Sequence, residues 1–496
     1  MPLPLGASGR ALRCTPDKNK KVLNDSFKSP HQQDDPVRLH KTPGQAEPED
    51  DPMSRSINVQ LEEKPMEAFQ WVVIALCFLI NMLDGFDVLV MAFTAASVSS
   101  EWGLGGIELG YLLSAGLIGM ALGSLFIAPW ADRFGRRPVI LLCISIAGLG
   151  MLASSQASSV SMLGGLRFLT GLGIGGVLAS SYVIAGEYAN RKWRSLAISL
   201  QSTAYALGAT IGGLIAAQII PHLGWRAVFL YGGIVTLLVL PVMYWLLPES
   251  IAFLIARQPR NALQRLNRLL SRVGIQLITA MPPLQSSTQA SWRETFAGLF
   301  SRELLRSTLL VWAGFFLVMF GFYFVMSWTP KLLVSAGLSN QQGITAGVLL
   351  NVGGIVGTSL IGLLAARYRL PRVLISYLCL NALFLGLFVH FTDKLNLAFA
   401  LVLVIGVLVN GCVAGLYALT PSLYGPEQRV TALGWAIGMG RMGAILSPLV
   451  AGRLIDASWR PADLYLLFAC AFVVAAVAVW LMNSHLTVRA AVKPAA

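Results

Sequence analysis

Charge is scarce in this sequence. Asp, Glu, Lys and Arg make up 12% of its 496 residues, against about 25% in ordinary soluble domains, which excludes a conventional water-covered globule. Cysteine and histidine are also few, and neither clusters. Cys14 lies in the N-terminal stretch, while Cys77, Cys143, Cys379, Cys412 and Cys470 fall one each in five different apolar runs, so no metal-ligand spacing exists. His31, His40, His222, His390 and His485 lie in the N-terminal stretch, in the breaks between apolar runs or at their ends, and no Ser/His/Asp constellation for nucleophilic catalysis can be drawn. No Walker A sequence with GK before Ser or Thr occurs, so ATP-driven chemistry by this chain is not supported. No enzyme, cofactor or metal is expected. Gly171, Gly173 and Gly176 do satisfy GxGxxG, but they follow no strand and sit inside an apolar run. They read as helix-packing glycines rather than a dinucleotide fingerprint.

What the chain does have is apolar length. Apolar residues make up 55% of it, and about 20 of them in a row cross the hydrocarbon core as a helix. Runs of that size recur at 69–97, 107–130, 138–156, 161–186, 195–220 and 225–247, then at 307–329, 341–365, 371–391, 395–419, 430–455 and 462–483. They are continuously apolar and too long for barrel strands, so helices are the spanning form. The expectation is an all-α membrane protein with twelve transmembrane helices, whose surroundings are the lipid bilayer.

The net charge of +13 does not point to nucleic acid. Residues 1–65 hold ten Lys/Arg and ten Asp/Glu, and without periodicity they read as a disordered tail that lacks the apolar core of a signal peptide. Met53 and Met66 offer later starts, which mass spectrometry of the native N-terminus would test. With the N-terminus in the cytoplasm, twenty of the 27 later Lys/Arg fall in cytoplasmic segments. Five fall outside: Arg226, Lys331, Lys394, Arg453 and Arg460. That bias places both termini in the cytoplasm.

The expected organisation is a tail at 1–65, a six-helix bundle at 66–247, a cytoplasmic linker at 248–306, a second six-helix bundle at 307–485 and a cytoplasmic tail at 486–496. The bundles read as copies. ADRFGRRPVIL at 131–141 matches AARYRLPRVLI at 365–375, an offset of 234 that Gly123 and Gly357 share, and Tyr188 matches Tyr424 at 236. Internal repeats of this kind are characteristic of secondary transporters. In the linker, Ala262, Leu263, Leu266, Leu269 and Leu270 recur at helical spacing between Arg260, Arg265, Arg268 and Arg272. This basic amphipathic helix either lies on the anionic inner leaflet or tethers the two bundles.

Four charges stand inside spans. Asp84 and Asp87, in NMLDGFDVLVM of the first span, share a helix face at a spacing of three. Carboxylates at such depth mark ion paths or proton relays, so both are candidates for proton coupling. Arg167 enters the fourth span to a similar depth, and Arg441 sits in GMGRMGAILSP of the eleventh. Both are candidate anion-binding groups, because a guanidinium pairs bidentately with a carboxylate. Arg167 is also the natural partner of the aspartates, and Arg441, with no acid inside its own half, is the better substrate anchor. Glu187 closes the fourth span beside the loop of Arg133 and Arg136, where an ion pair would close an inner gate.

ADRFGRRP resembles the loop between helices two and three of the major facilitator superfamily, GxxxDRxGRR, with Ala128 in place of the leading glycine and Asp132, Arg133, Gly135, Arg136 and Arg137 matching. The second copy has Ala366 where the Asp would stand. DGFD at 84–87, RFLTGLGIGG at 167–176, GEY at 186–188, GWRAVF at 224–229, LPES at 247–250 and GRMGAILSP at 440–448 are similar to the pattern of its aromatic acid/proton symporters. The resemblance covers about 66–485. It implies the major facilitator fold in two pseudo-symmetric halves and proton-coupled uptake of benzoate- or hydroxybenzoate-like anions across a bacterial inner membrane. Asp84, Asp87, Asp132, Arg167, Glu187 and Arg441 match positions important in that family. A dicarboxylate or other organic anion is the nearest alternative substrate, and a membrane sensor of aromatic acids the alternative of another class. Aromatic residues of the seventh span, Trp312, Phe316, Phe320, Phe322, Tyr323 and Trp328, are candidates to stack on an aromatic ring or to face lipid.

Overall fold

The computed structural model describes residues 52–282, 297–302, 304–391, 394–424 and 426–492. Among them, eleven helices are long and apolar enough to cross a membrane. One of these, Arg194–Leu246, has 53 residues and at 1.5 Å per residue would reach about 80 Å, far beyond a hydrocarbon core of about 30 Å. It breaks at Gly224, where φ is +74° and ψ 174°, a backbone that only glycine adopts without strain. Its arms, 194–223 and 225–246, are the fifth and sixth spans. The first four are Ala68–Trp102, Gly106–Phe134, Arg136–Ser154 and Val160–Tyr188; the seventh to twelfth are Leu305–Ser335, Asn340–Arg367, Leu370–Phe388, Leu395–Leu423, Thr431–Asp456 and Pro461–Met482. Counted as crossings, these are the expected twelve.

The repeat read from the sequence is visible in the packing. A Cβ on Gly123 would meet the Leu172 carbonyl oxygen at 2.2 Å, and one on Gly357 the Val407 oxygen at 1.9 Å. Each glycine thus lets the second helix of its half touch the backbone of the fourth. Tyr188 and Tyr424 are both buried. The Tyr188 hydroxyl donates to Glu249 O at 2.8 Å, and that of Tyr424 to Thr308 Oγ1 at 3.2 Å. Gly171 serves packing, as expected of it: its Cβ would strike the Gly116 oxygen of the second span at 2.1 Å.

The halves meet at one end. Gly106 and Gly452 are in backbone contact, as are Gly110 and Pro448; Ser114 Oγ donates to Ile445 O at 2.9 Å. The Asp456 carboxylate accepts from Gly106 N at 2.5 Å and Ile107 N at 2.8 Å. Among the described residues every hydrogen bond between the halves lies between 106–120 of the second span and 441–456 of the eleventh. Farther along, Gly434 and Gly438 meet nothing, and Leu125, Phe126, Trp130 and Trp435 are exposed. The halves are therefore joined at the face holding the 103–105 turn, here the far face. They part toward the face holding the linker helices, the linker face.

One expectation needs correction and one open alternative is narrowed. The tail ends earlier than residue 65, because Pro52–Glu63 is a helix; residues 1–51 lie outside the described residues. Ile57 and Leu61 are buried, Arg194 pairs with Glu62 at 2.8 Å, and Asn190 Nδ2 donates to Lys64 O at 2.9 Å. The linker helix Ala262–Arg272 does not offer its apolar face to lipid. Ala262 is buried, and Leu266, Leu269 and Leu270 are buried in one cluster with Ile57, Leu61, Val73, Ile251 and Leu254, so protein already covers that face.

Candidate functional site

Gly85 brings the first and fifth spans together, since a Cβ there would strike the Tyr205 carbonyl oxygen at 1.9 Å. Two aspartates flank it, both buried, and their surroundings differ. Asp87 is tied: Arg167 Nη1 donates to its Oδ1 and Nη2 to its backbone oxygen, each at 2.8 Å. The Arg167 guanidinium also lies 5.7 Å from the Phe229 ring centre, and the residue is 2% exposed. Asp84 accepts no hydrogen bond at either oxygen. A buried carboxylate in that state demands a proton or a cation. A cavity of about 30 Å³ lies against both aspartates, bounded by Ile80, Ile144, Val177 and Thr236. One water needs roughly 10–15 Å³ on this measure, so two or three would fit.

The expectation that Arg167 holds substrate is not what this geometry offers, because Asp87 takes both of its terminal nitrogens. Arg441 is different. It is half-buried at the boundary between the halves, with Nη1 toward the Met120 sulfur, and among the described residues it forms no ion pair. Its titratable neighbours are Tyr323, Tyr417, Tyr205 and Asp84. Of the seventh-span aromatics, only Tyr323 belongs to this set. Trp312 stacks on Trp435, Phe316 on Phe320, and Phe320 on Phe468; Trp328 is buried.

Tyr182, Tyr205 and Tyr417 escaped the reading of the sequence, although the repeat offset locates them. Tyr417 stands 235 residues after Tyr182, and Arg441 stands 236 after Tyr205. The two halves thus contribute to one site from equivalent positions of their fourth and fifth helices.

The motif residues form a second cluster near the linker face. Gly135 has φ +105°, and a Cβ there would approach Glu249 Oε2 at 2.5 Å. Glu249 Oε1 accepts from the Arg136 and Arg137 amides at 2.8 and 3.2 Å, capping the third span. Arg136 pairs with Glu187 and donates to Ser250 Oγ at 2.6 Å; Ser250 in turn donates to Glu187 Oε2 at 2.6 Å. Asp132 lies 3.5 Å from Arg136 and is exposed. Arg133 stands over the Phe134 ring, and Arg137 donates to Tyr244 O. Glu249 and Ser250, the end of LPES, were not among the expected site residues. Among the described residues these bonds all stay within the first half and the start of the linker, so Arg136–Glu187 does not itself bridge the halves.

The sequence matches the Major Facilitator Superfamily over residues 74–419 and again over 352–495. The chain belongs to the major facilitator superfamily. This facilitator is 35% identical to the gallate transporter of Pseudomonas putida over 88% of its own length and 98% of that protein's. It is 33% identical to the 4-hydroxybenzoate transporter of Pseudomonas putida, covering 82% and 92%, and 30% identical to the benzoate transport protein of Acinetobacter baylyi, covering 87% and 94%. It is thus a multi-pass membrane transporter related to aromatic acid transporters, and not an enzyme. Among solved structures it is similar to a D-xylose–proton symporter, with a TM-score of 0.66 at 18% identity over 83% of this chain and 98% of that one. A bacterial homologue of the lysosomal transporter Spinster gives 0.61 at 18%, covering 85% and 97%. These last two bear on the fold alone.

Proposed function

We propose that this facilitator imports aromatic carboxylic acids, anions like benzoate or hydroxybenzoate, together with protons by alternating access. The observation that carries it is the pairing of unpartnered groups across the boundary: Asp84 without a hydrogen bond in the first half, Arg441 without an anion in the second. Arg441 takes the substrate carboxylate bidentately. Asp84 takes the proton, because a neutral carboxyl is the form its buried place tolerates without a partner. Asp87, tied to Arg167, keeps the first and fourth helices in register and lines the cavity through which a water reaches Asp84. Substrate and proton then occupy opposite walls of one site. A site holding both, or an empty one in which Asp84 faces Arg441, presents no net charge while the halves rock past the occluded state, whereas a half-loaded site does.

The chain sits in this reading in a bacterial inner membrane with both termini in the cytoplasm, so the parted linker face opens inward. Arg136, Glu187, Ser250 and Glu249 make the first half and the linker start one rigid body. Asp132 and Arg133, both exposed, are placed to meet the second half when that face closes. The test is uptake of radiolabelled aromatic acids by proteoliposomes, with and without a proton uncoupler. Accumulation that an uncoupler abolishes supports the reading. Binding without accumulation would make the protein a sensor, and accumulation indifferent to the proton gradient would remove Asp84 from its role.

A further inference from the structure

The wall facing Arg441 is phenolic rather than plainly aromatic. From the fifth span, the Tyr205 backbone carbonyl packs on Gly85, and its phenol has Asp84, Arg441 and Tyr323 as neighbours. Tyr323 packs with Leu117 and Ala444, one turn from Arg441. Tyr417, from the tenth span, sits edge-on to Phe315 at 5.4 Å, and Phe315 also lies beneath Gly440, the neighbour of Arg441. Tyr182 stands behind them with its hydroxyl 3.2 Å from Ser202 Oγ. Among the described residues the hydroxyls of Tyr205, Tyr323 and Tyr417 make no hydrogen bond to protein, whereas Tyr424, away from the site, donates to Thr308 and Tyr465 to Thr329. Three unengaged phenols from both halves therefore converge on one guanidinium and one bare carboxylate.

Apolar rings would serve a substrate with an unsubstituted ring equally well, and would avoid desolvating hydroxyls that the substrate cannot satisfy. A ring bearing its own hydroxyls meets donors and acceptors on three sides, and a site built to bond a substrate hydroxyl discriminates strongly against the analogue without it. We propose that Tyr205, Tyr323 and Tyr417 read the ring hydroxyls of a polyhydroxylated benzoate whose carboxylate lies on Arg441, making this facilitator selective for such acids over benzoate. This rests on the reading of the chain as a carrier of aromatic acids.

The experiment measures uptake by the full chain in proteoliposomes for benzoate, 4-hydroxybenzoate, 3,4-dihydroxybenzoate and 3,4,5-trihydroxybenzoate. It is repeated with Tyr205→Phe, Tyr323→Phe and Tyr417→Phe, each checked for monodispersity in detergent. The expected kcat/KM rises with hydroxyl number, and at least one Phe variant lowers the trihydroxybenzoate-to-benzoate ratio about tenfold, the loss of one net hydrogen bond. Three variants guard against one that fails to fold. Benzoate carried as well as trihydroxybenzoate, or a ratio unmoved in every folded variant, overturns the selectivity while leaving the carrier reading intact. Failure to bind or carry any of the four acids overturns both.

Discussion

The two halves share a fold and a packing pattern but not their charges. Stepping 235 residues on from Asp84, Asp87 and Arg167 leads to Met319, Phe322 and Val402, so the repeat-equivalent of the buried ion pair is apolar. In the other direction, Arg441 has Tyr205 as its counterpart at an offset of 236. The frame was therefore kept in duplicate while the ionic chemistry was divided. The first half holds acids with one arginine already spent on them, and the second holds one arginine with no acid. On the proposed mechanism neither half alone can neutralise a proton and an organic anion together, which puts the proposed site at their boundary.

The largest effect should come from breaking the spent pair. Arg167→Met leaves Asp87 buried and uncompensated, and breaking such a pair costs about 3–5 kcal/mol. Thermal unfolding in detergent should show a large loss, and a second change, Asp87→Asn, should recover much of it. Phe322→Leu at the equivalent place in the second half is a near volume-conserving swap that should cost less than about 1.5 kcal/mol. Equal losses at Arg167 and Phe322 would mean the halves do not differ in the way the ion pair implies.

The next two probe the unpaired charges. Asp84→Asn removes no hydrogen bond that the structure contains, so folding should survive, while proton-driven accumulation should fall to the level seen with an uncoupler. Persistent accumulation in that variant would move the coupling site to Asp87. Arg441→Lys retains the charge but loses the fork that matches a carboxylate. A charge-assisted hydrogen bond contributes about 1.5–3 kcal/mol, so KM should rise between tenfold and a hundredfold. A wild-type KM would show that the substrate is held elsewhere.

Most of the fold was legible because hydrophobic length and the breaks between apolar runs are written directly in the sequence. Gly224 was harder: its left-handed turn lets two spans run together as one helix, and only the length exposes it. The charged residues were equally plain, since a carboxylate inside an apolar run cannot be mistaken. What the sequence obscured was partnership. That Asp87 rather than Asp84 takes Arg167 depends on how the first and fourth spans are rotated, and no spacing rule encodes it. Tyr182, Tyr205 and Tyr417 look like ordinary tyrosines of a membrane span until the repeat offset is applied to them. The linker helix stayed open between leaflet and tether because amphipathicity reports an apolar face without saying what covers it.

The smallest effect belongs to the far face. Asp456 reaches from the second half to cap the second span of the first, accepting from two amides at that helix's N-terminus. The helix end is electropositive, but Asp456 is exposed, and a charge so placed contributes about 0.3–1 kcal/mol. The backbone contacts Gly106–Gly452 and Gly110–Pro448 remain when it is lost. Asp456→Asn should therefore change the ratio of far-face-open to far-face-closed molecules by no more than about fivefold. Spin labels at Glu108 and Ser458, both exposed, would report that ratio as a distance distribution by pulsed electron resonance. A wholesale opening would show that one cap, rather than close glycine packing, holds the halves together. The proposed division of labour predicts the modest result, because the transport cycle must break this contact on every turnover, and a strong latch would trap the carrier with its site facing one side.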